Sequence, residues 1–170
     1  MISPMTTAPI CDHIDELIAQ WTVERPDLEL APMATFGRLG RLTAMAGRSI
    51  EAVFATHGLT TGDFDVLAAL RRNGDPFVMT PTDLSSTLML SPAGMTNRLD
   101  RLEASGHISR RADPGDRRSS LVVMTDQGRR VVDLAVSDHL ANEAHLLSVL
   151  SPNEITSLDR ALRKLLRQFD

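Results

Sequence analysis

The chain has 170 residues and a formal net charge of −4, and its 42% hydrophobic and 24% charged residues are typical of a globular protein. A single cysteine, Cys11, excludes an internal disulfide, and there is no signal segment and no apolar run long enough to cross a membrane. We therefore expect a cytoplasmic protein, without membrane attachment, that forms one compact domain with or without an arm.

The first predicted element is a short amphipathic helix, because apolar residues recur at helical spacing from Cys11 to Trp21. The polar stretch that follows is bracketed by Pro26 and Pro32, which predicts an extended linker. Residues 1–30 hold six acidic side chains against one arginine, so we predict that they form an acidic N-terminal arm. Trp21 ends the apolar stripe of the helix, where it either docks the arm or stacks on a ligand.

Two helices are predicted next. The first extends from about Met33 to His57 and ends at Gly58, a residue type that commonly terminates helices. The second lies between Thr60 and Gly74 and begins with the spacing of a capping box. It is apolar almost all round, with Asp65 on its one polar stripe, so we expect it to be buried.

A helix-turn-helix follows. Two helix starts, Thr80-Pro81 and Ser91-Pro92, lie eleven residues apart, and each places proline at the first helical position. The second helix ends at Gly106, and the sequence then changes to strand character around a turn at residues 113–116. A helix-turn-helix followed by a β-hairpin is the winged-helix arrangement.

Residues 91–130 carry eight arginines against five acidic residues, a basic region of the kind that binds a polyanion. Arg117 and Arg118 at the hairpin turn suit the minor groove of DNA. One side of the second motif helix is apolar, and the opposite side suits the major groove, although an ordinary solvated face is the alternative. The residues of that side and its shoulders are Ala93, Thr96, Asn97, Asp100, Arg101 and Ala104.

Two arginines of this region do not point towards DNA. Side chains alternate along a strand, so only one of Arg110 and Arg111 can face the duplex, and the other faces the protein. Arg98 lies beside the apolar side of its helix and needs a partner. It either forms a structural ion pair, with Asp100, Glu103 or Asp65, or lines an anion-binding cleft with Asp65 and a wing arginine.

The chain ends in two further helices. One begins at Thr125, and the last is capped by Ser151. The last helix packs either on its own subunit or, as we predict, across a homodimer interface shared with the Met33 helix. Its apolar residues follow heptad spacing, namely Ile155, Leu158, Leu162, Leu165 and Phe169.

The predicted fold is therefore mainly α-helical with a small β-hairpin wing. Residues 1–30 form the arm, and residues 31–58 and 126–170 form a helical dimerisation lobe. Residues 59–125 form a winged helix-turn-helix lobe that binds double-stranded DNA.

The segment DPGDRRSSLVVMTDQG, residues 113–128, resembles the wing signature of the MarR family of dimeric winged-helix regulators, Asp-x-Arg followed by an apolar strand and Thr-x-x-Gly. The resemblance covers nearly the whole chain, from Met33 to Asp170. It implies that Asp116 orients Arg118, that Arg118 enters the minor groove, and that the helix from Ser91 to Ser105 reads the major groove of an operator.

A narrower resemblance is to the urate-responsive branch of that family, the HucR-like and PecS-like regulators, which adds an N-terminal helix and four ligand-linked positions. Here those positions hold Trp21, Asp65, Arg98 and Arg110. The resemblance implies that an anionic purine such as urate, or another small aromatic anion, stacks near Trp21 and pairs with Arg98. Its charge then displaces Asp65 from Arg110, and the regulator, a repressor, releases its operator.

One alternative regulator and one alternative class compete with this interpretation. A redox sensor of the same fold would act through Cys11, although the chain has no tyrosine to serve as a polar partner of the thiolate. An enzyme would need a nucleophile with a base, or a metal site, and no spacing among the histidines suits zinc. We therefore expect no enzymatic activity, no metal and no cofactor. The histidines are His13, His57, His107, His139 and His145.

Overall fold

The computed structural model describes residues 11–115 and 120–169, which contain seven helices and three strands. The chain divides into two compact units, Met1–Gly47 and Arg48–Asp170. The elements are α1 (His13–Glu24), α2 (Ala31–Thr56), α3 (Thr61–Arg72), β1 (Val78–Met79), α4 (Pro81–Thr87), α5 (Pro92–Ala104), β2 (Ile108–Ala112), β3 (Ser120–Met124), α6 (Asp126–Leu147) and α7 (Pro152–Leu166).

In the first unit, α1 packs against the beginning of α2. Asp12 caps α1 by accepting hydrogen bonds from the backbone N–H groups of Ile14 and Asp15. Arg38 on α2 pairs with Asp12 at 2.9 Å and with Asp15. Ile14 is buried, and a Cβ added to Gly37 would lie 3.3 Å from its side chain. The small residue on α2 therefore allows the two helices to approach closely.

The segment between α1 and α2 forms a turn, and the predicted extended linker is wrong. The N–H of Leu28 donates to the carbonyl of Arg25 at 3.2 Å, and the Arg25 guanidinium pairs with Asp27 at 2.7 Å. Pro32 lies inside α2, which begins at Ala31, because the first turn of a helix does not use the N–H group that proline lacks.

The predicted helix starts of the second unit are confirmed by capping hydrogen bonds. In each case a hydroxyl oxygen accepts a hydrogen bond from the backbone N–H group three residues later. Proline then occupies the beginning of α4, α5 and α7. The capping residues are Thr60 for α3, Thr80 for α4, Ser91 for α5, Thr125 for α6 and Ser151 for α7.

The core of the second unit lies around α3, which is buried from Val66 to Leu70 as its apolar pattern predicted. Helices α5 and α6 contribute their apolar sides, and strands β2 and β3 contribute Ile108, Val122 and Met124. Other fully buried side chains are Phe54, Leu84, Met95, Leu102 and Val132.

The sheet is antiparallel, with strand order β1-β3-β2. Strands β2 and β3 form the predicted hairpin, in which Arg110 lies opposite Val122. Strand β1 was not predicted. It has only two residues, Val78 and Met79, too few for a pattern of alternation, and it forms by pairing with β3.

The apolar residues of α7 are not buried within the chain. None of its residues, all of which the structure describes, is buried. Leu158 and Leu165 are each 37% exposed. Among the helices within residues 11–115 and 120–169, none combines the length and the apolar character that a membrane span requires.

Candidate nucleic-acid interface and anion cleft

Helix α5 has the two sides that the sequence predicted. Met95, Leu99 and Leu102 are buried against the core. Ser91 accepts a hydrogen bond from the N–H of Gly94 at 3.2 Å, so its hydroxyl is engaged in capping the helix. The opposite side is exposed and presents small and polar groups of the kind that contact base edges, namely Ala93, Thr96, Asn97, Asp100 and Ala104.

Arg101 on the shoulder of α5 is held by a carboxylate of α3. Its Nη2 donates to Oδ1 of Asp63 at 2.8 Å, and the Asp63 side chain is only 8% exposed. Burial raises the pKa of Asp63, but the hydrogen bonds from Arg101 and Thr60 outweigh it and hold the pKa below its usual value. Asp63 therefore caps α3 and also fixes α5 against α3.

Arg98 pairs with Asp65, which is one of the partners that the sequence left open. Its Nη1 lies 3.8 Å from Oδ2 of Asp65 and 3.4 Å from the carbonyl oxygen of Gly62. A Cβ added to Gly62 would lie 2.6 Å from Cζ of Arg98, so the glycine leaves the space that the guanidinium occupies. Partial burial raises the pKa of Asp65, although Arg98 and Arg72 act against this rise.

Arg110 faces the protein, and the expectation that Asp65 is its partner is wrong for this structure. Its Nη2 donates to Oδ1 of Asp100 at 2.5 Å, and its Nε lies 3.5 Å from Oε2 of Glu103. Its backbone N–H also donates to Oε1 of Glu103 at 3.0 Å. The two nearer carboxylates on α5 therefore occupy the guanidinium. Arg111 is exposed, which confirms that the two neighbours face opposite ways.

The wing tip is described only in part. Asp113 accepts a hydrogen bond from the N–H of Gly115 at 2.8 Å. The roles predicted for Asp116, Arg117 and Arg118 lie outside the described residues and stay predictions.

The residues after the wing form a junction that the sequence analysis did not assign. The Thr125 hydroxyl donates to the carbonyl oxygens of Gly106 at 2.8 Å and His107 at 3.0 Å, and it accepts from the N–H of Gly128. These contacts join the end of the α5 segment to the first turn of α6. They also give a physical reason for the Thr-x-x-Gly part of the wing signature.

His107 is a second feature that sequence reasoning missed. It is buried, and its Nδ1 lies 2.9 Å from the Ser105 hydroxyl. Burial lowers the pKa of His107, and the negative charge of Asp63 only partly opposes this effect. It lines a surface pocket of about 380 Å³ together with Asp63, Arg101 and Ser105.

The remaining candidates lie in the first unit. Trp21 is on α1 and is 45% exposed, and Cys11 is an exposed free thiol. Across the part of the chain that the structure describes, no cluster of three histidine, cysteine or acidic side chains could hold a metal ion.

Comparison with known proteins identifies relatives along most of the chain. A family model described as MarR family matches residues 57–119. The HTH-type transcriptional regulator PecS from Dickeya dadantii is 39% identical over 150 residues, which are 88% of this chain and 90% of PecS. The transcriptional activatory protein BadR from Rhodopseudomonas palustris is 34% identical over 140 residues, which are 82% of this chain and 79% of BadR.

Solved structures share the fold. AbsC, a MarR family transcriptional regulator from Streptomyces coelicolor, has a TM-score of 0.73 at 22% identity over 84% of this chain and 96% of its own. A mutant of MarR from E. coli, complexed with operator DNA, has a TM-score of 0.68 at 24% identity over 81% of this chain and 97% of its own. The predicted mainly helical winged-helix fold is therefore confirmed.

Proposed function

The chain belongs to the MarR family of DNA-binding transcriptional regulators, and from this premise we propose that it is a homodimeric repressor released from its operator by urate or a related small anion. The position of Arg98 is the observation that supports release by a small anion. Arg98 lies on α5, the helix proposed to read DNA, but its guanidinium is held at Asp65 and Gly62 on α3.

DNA contact is proposed for the exposed side of α5 and for the wing tip. An exposed helix face with small and polar residues fits the major groove, and arginines at a hairpin tip fit the minor groove. Arg101 retains a half-exposed guanidinium beside Asp63, so it can still meet a phosphate or a base edge. The proposed residues are Ser91, Ala93, Thr96, Asn97, Arg101, Asp116, Arg117 and Arg118.

The homodimer is supported by the uncovered apolar residues of α7. They repeat at heptad spacing on a helix none of whose described residues is buried. A two-fold dimer presents two copies of α5 to DNA, so we expect a pseudo-palindromic operator with half-sites about one helical turn, or roughly 34–36 Å, apart.

The ligand proposal rests on competition for Arg98. An anion that pairs with the Arg98 guanidinium replaces Asp65 and so removes a contact between α3 and α5. The raised pKa of Asp65 is consistent with a carboxylate that is a weak competitor in this position. The proposal also includes Trp21 as the stacking group and Arg110 as the fourth ligand-linked position. Both assignments rest on the resemblance.

The required energy is modest. A hundredfold loss of operator affinity on ligand binding needs about 2.7 kcal/mol of coupling between the two sites. A two-fold dimer binds two ligands, so each subunit has to contribute roughly half of that amount. One charge-assisted hydrogen bond between the anion and Arg98 in each subunit is of that order.

The first test is fluorescence-anisotropy binding to the DNA upstream of the protein's own gene, at fixed salt, with and without urate. Salt must be fixed because phosphate contacts make the affinity strongly salt-dependent. Tight binding that urate weakens supports both parts of the proposal. Tight binding that urate leaves unchanged supports the DNA-binding part of the proposal and contradicts urate as the effector. An absence of sequence-specific binding contradicts an operator in this DNA.

Two variants separate the mechanisms. Arg98→Ala removes both the contact with Asp65 and the group that pairs with the anion, so its operator affinity is expected to fall towards that of the urate-bound wild type and to be unaffected by urate. Cys11→Ser tests the redox alternative, since unchanged DNA binding by this variant and by the wild type, with and without peroxide, excludes a sensing thiol. A reporter gene behind the operator shows whether binding represses or activates, a distinction that the activator BadR makes necessary.

A further inference from the structure

We propose that Arg110 acts on DNA binding through α5, by neutralising Asp100 and Glu103 on the helix that reads the operator. The inference deepens the proposed function and rests on the use of α5 as the reading helix.

The contacts form a clamp between two elements that are consecutive in the chain. Arg110 reaches Asp100 through Nη2 at 2.5 Å and Glu103 through both its backbone N–H at 3.0 Å and its Nε at 3.5 Å. The Arg110 side chain is 28% exposed, whereas those of Asp100 and Glu103 are 57% and 42% exposed. The arginine is thus held between the strand and the helix, and the carboxylates lie at the surface.

The charges of α5 explain why such a clamp is needed. The helix has two arginines, and both are paired with carboxylates of α3, Arg98 with Asp65 and Arg101 with Asp63. Its own two carboxylates therefore have no partner on α5. Asp100 is exposed about one turn after Asn97, which belongs to the proposed reading face.

Unneutralised carboxylates at this position would face the phosphates of DNA. Like charges placed opposite each other across an interface disfavour binding, and the effect reaches about 8–10 Å at ordinary ionic strength. Arg110 supplies the positive charge that α5 itself does not offer there. The expected consequence is that loss of Arg110 weakens DNA binding by exposing Asp100 and Glu103, without any direct contact between Arg110 and DNA.

The test compares operator affinity, measured by anisotropy at fixed salt without ligand, for Arg110→Ala alone and in combination with Asp100→Asn and Glu103→Gln. Binding by the wild type first establishes the premise that the protein has an operator. We expect Arg110→Ala to weaken binding about tenfold and the triple variant to recover to within about threefold of the wild type. A triple variant as weak as Arg110→Ala, or an Arg110→Ala variant as tight as the wild type, overturns the inference.

Arg111 provides the matched control, because it is the neighbouring wing arginine and is exposed. Any loss of affinity in Arg111→Ala should persist when Asp100→Asn and Glu103→Gln are added. If the neutral pair rescued Arg111→Ala as fully as Arg110→Ala, the effect would be general and the clamp would be refuted. Thermal unfolding of each variant checks the fold.

The double variant Asp100→Asn/Glu103→Gln with Arg110 intact decides the question if Arg110→Ala does not fold. It keeps the positive charge of Arg110 and lacks the two negative charges, so we expect operator binding at least as tight as that of the wild type. Weaker binding than the wild type contradicts a neutralising role.

Discussion

Gly128 lies so close to His107 that a Cβ atom on the glycine would be 2.0 Å from the His107 carbonyl oxygen. The contact is between backbone segments, so a side chain cannot turn away to relieve it. The first turn of α6 therefore packs on the backbone of His107, just before β2. The N–H of Gly128 donates to the hydroxyl of Thr125, which caps α6.

We therefore expect Gly128→Ala to lower the free energy of unfolding by about 3 kcal/mol, because the backbone of α6 has to move away from His107. Urea denaturation measures the change. Gly40→Ala is the control, since nothing lies within 4 Å of a Cβ added there and alanine favours the helix. Equal stability of the two variants would contradict the close contact.

Gly62→Ala should change ligand binding rather than stability. The added Cβ would lie 2.6–2.8 Å from the guanidinium of Arg98, which is the flexible end of a side chain and can shift. Calorimetry is expected to show about tenfold weaker binding of urate, with the midpoint of thermal unfolding preserved or slightly raised. Unaltered urate affinity would place the ligand away from Arg98.

Asp65→Asn is expected to have the opposite effect on urate binding. Asparagine has a similar shape but no charge, so it competes less with an anion for Arg98. Calorimetry should show tighter urate binding than in the wild type, and anisotropy should show release of the operator at lower urate concentration. A loss of urate affinity in this variant would mean that Asp65 contacts the ligand directly.

Stability is expected to fall as the pH drops below about 6.5, and His107 is one cause. Its pKa in the folded protein lies below the usual value of 6.5, so the unfolded chain takes up a proton first and becomes favoured. The neighbouring Asp63 stays ionised in this range because its own pKa is lowered. The free energy of unfolding, measured from about pH 7.5 to 5, should decrease less in His107→Gln than in the wild type. A pH dependence that His107→Gln leaves unchanged would assign the effect to other groups.

The homodimer interface proposed for α7 can be tested with Leu158→Glu/Leu165→Glu. Two charges among the heptad residues should prevent association, so light scattering is expected to give the mass of a single chain. Operator affinity should fall at least about tenfold, because one subunit contacts only one half-site. Ser157→Glu, at an exposed position of the same helix, should remain dimeric. A dimeric Leu158→Glu/Leu165→Glu variant would place the interface elsewhere.

Local signals account for the parts of the fold that the sequence predicted correctly. Thr60, Thr80, Ser91 and Thr125 each begin a helix in the structure, because a capping hydroxyl acts on N–H groups within three residues. Strand β1 was not predicted because its two residues are extended only through their pairing with β3, which is distant in sequence.

The pairing of charges could not be predicted in the same way. Asp100 and Glu103 were nearer to Arg98 in sequence than Asp65, yet Arg110 takes both of them and leaves Asp65 for Arg98. Asp63 was recognised as part of a capping box, but its second partner, Arg101, is 38 residues away. Such choices depend on which helices pack together, which one local pattern does not encode.

The hydroxyl of Thr125 connects α6 to the winged helix-turn-helix lobe predicted for residues 59–125. It ties the backbone after α5 to the first turn of α6, and α6 has 22 residues, so it is a lever about 33 Å long. Because α6 also packs into the core through Val132 and Ala135, it turns together with the lobe, and a rotation of about 10° about the Thr125 end displaces the far end of α6 by about 6 Å. In the proposed dimer, such a rotation changes the separation of the two reading helices while every contact inside the winged helix-turn-helix lobe stays intact.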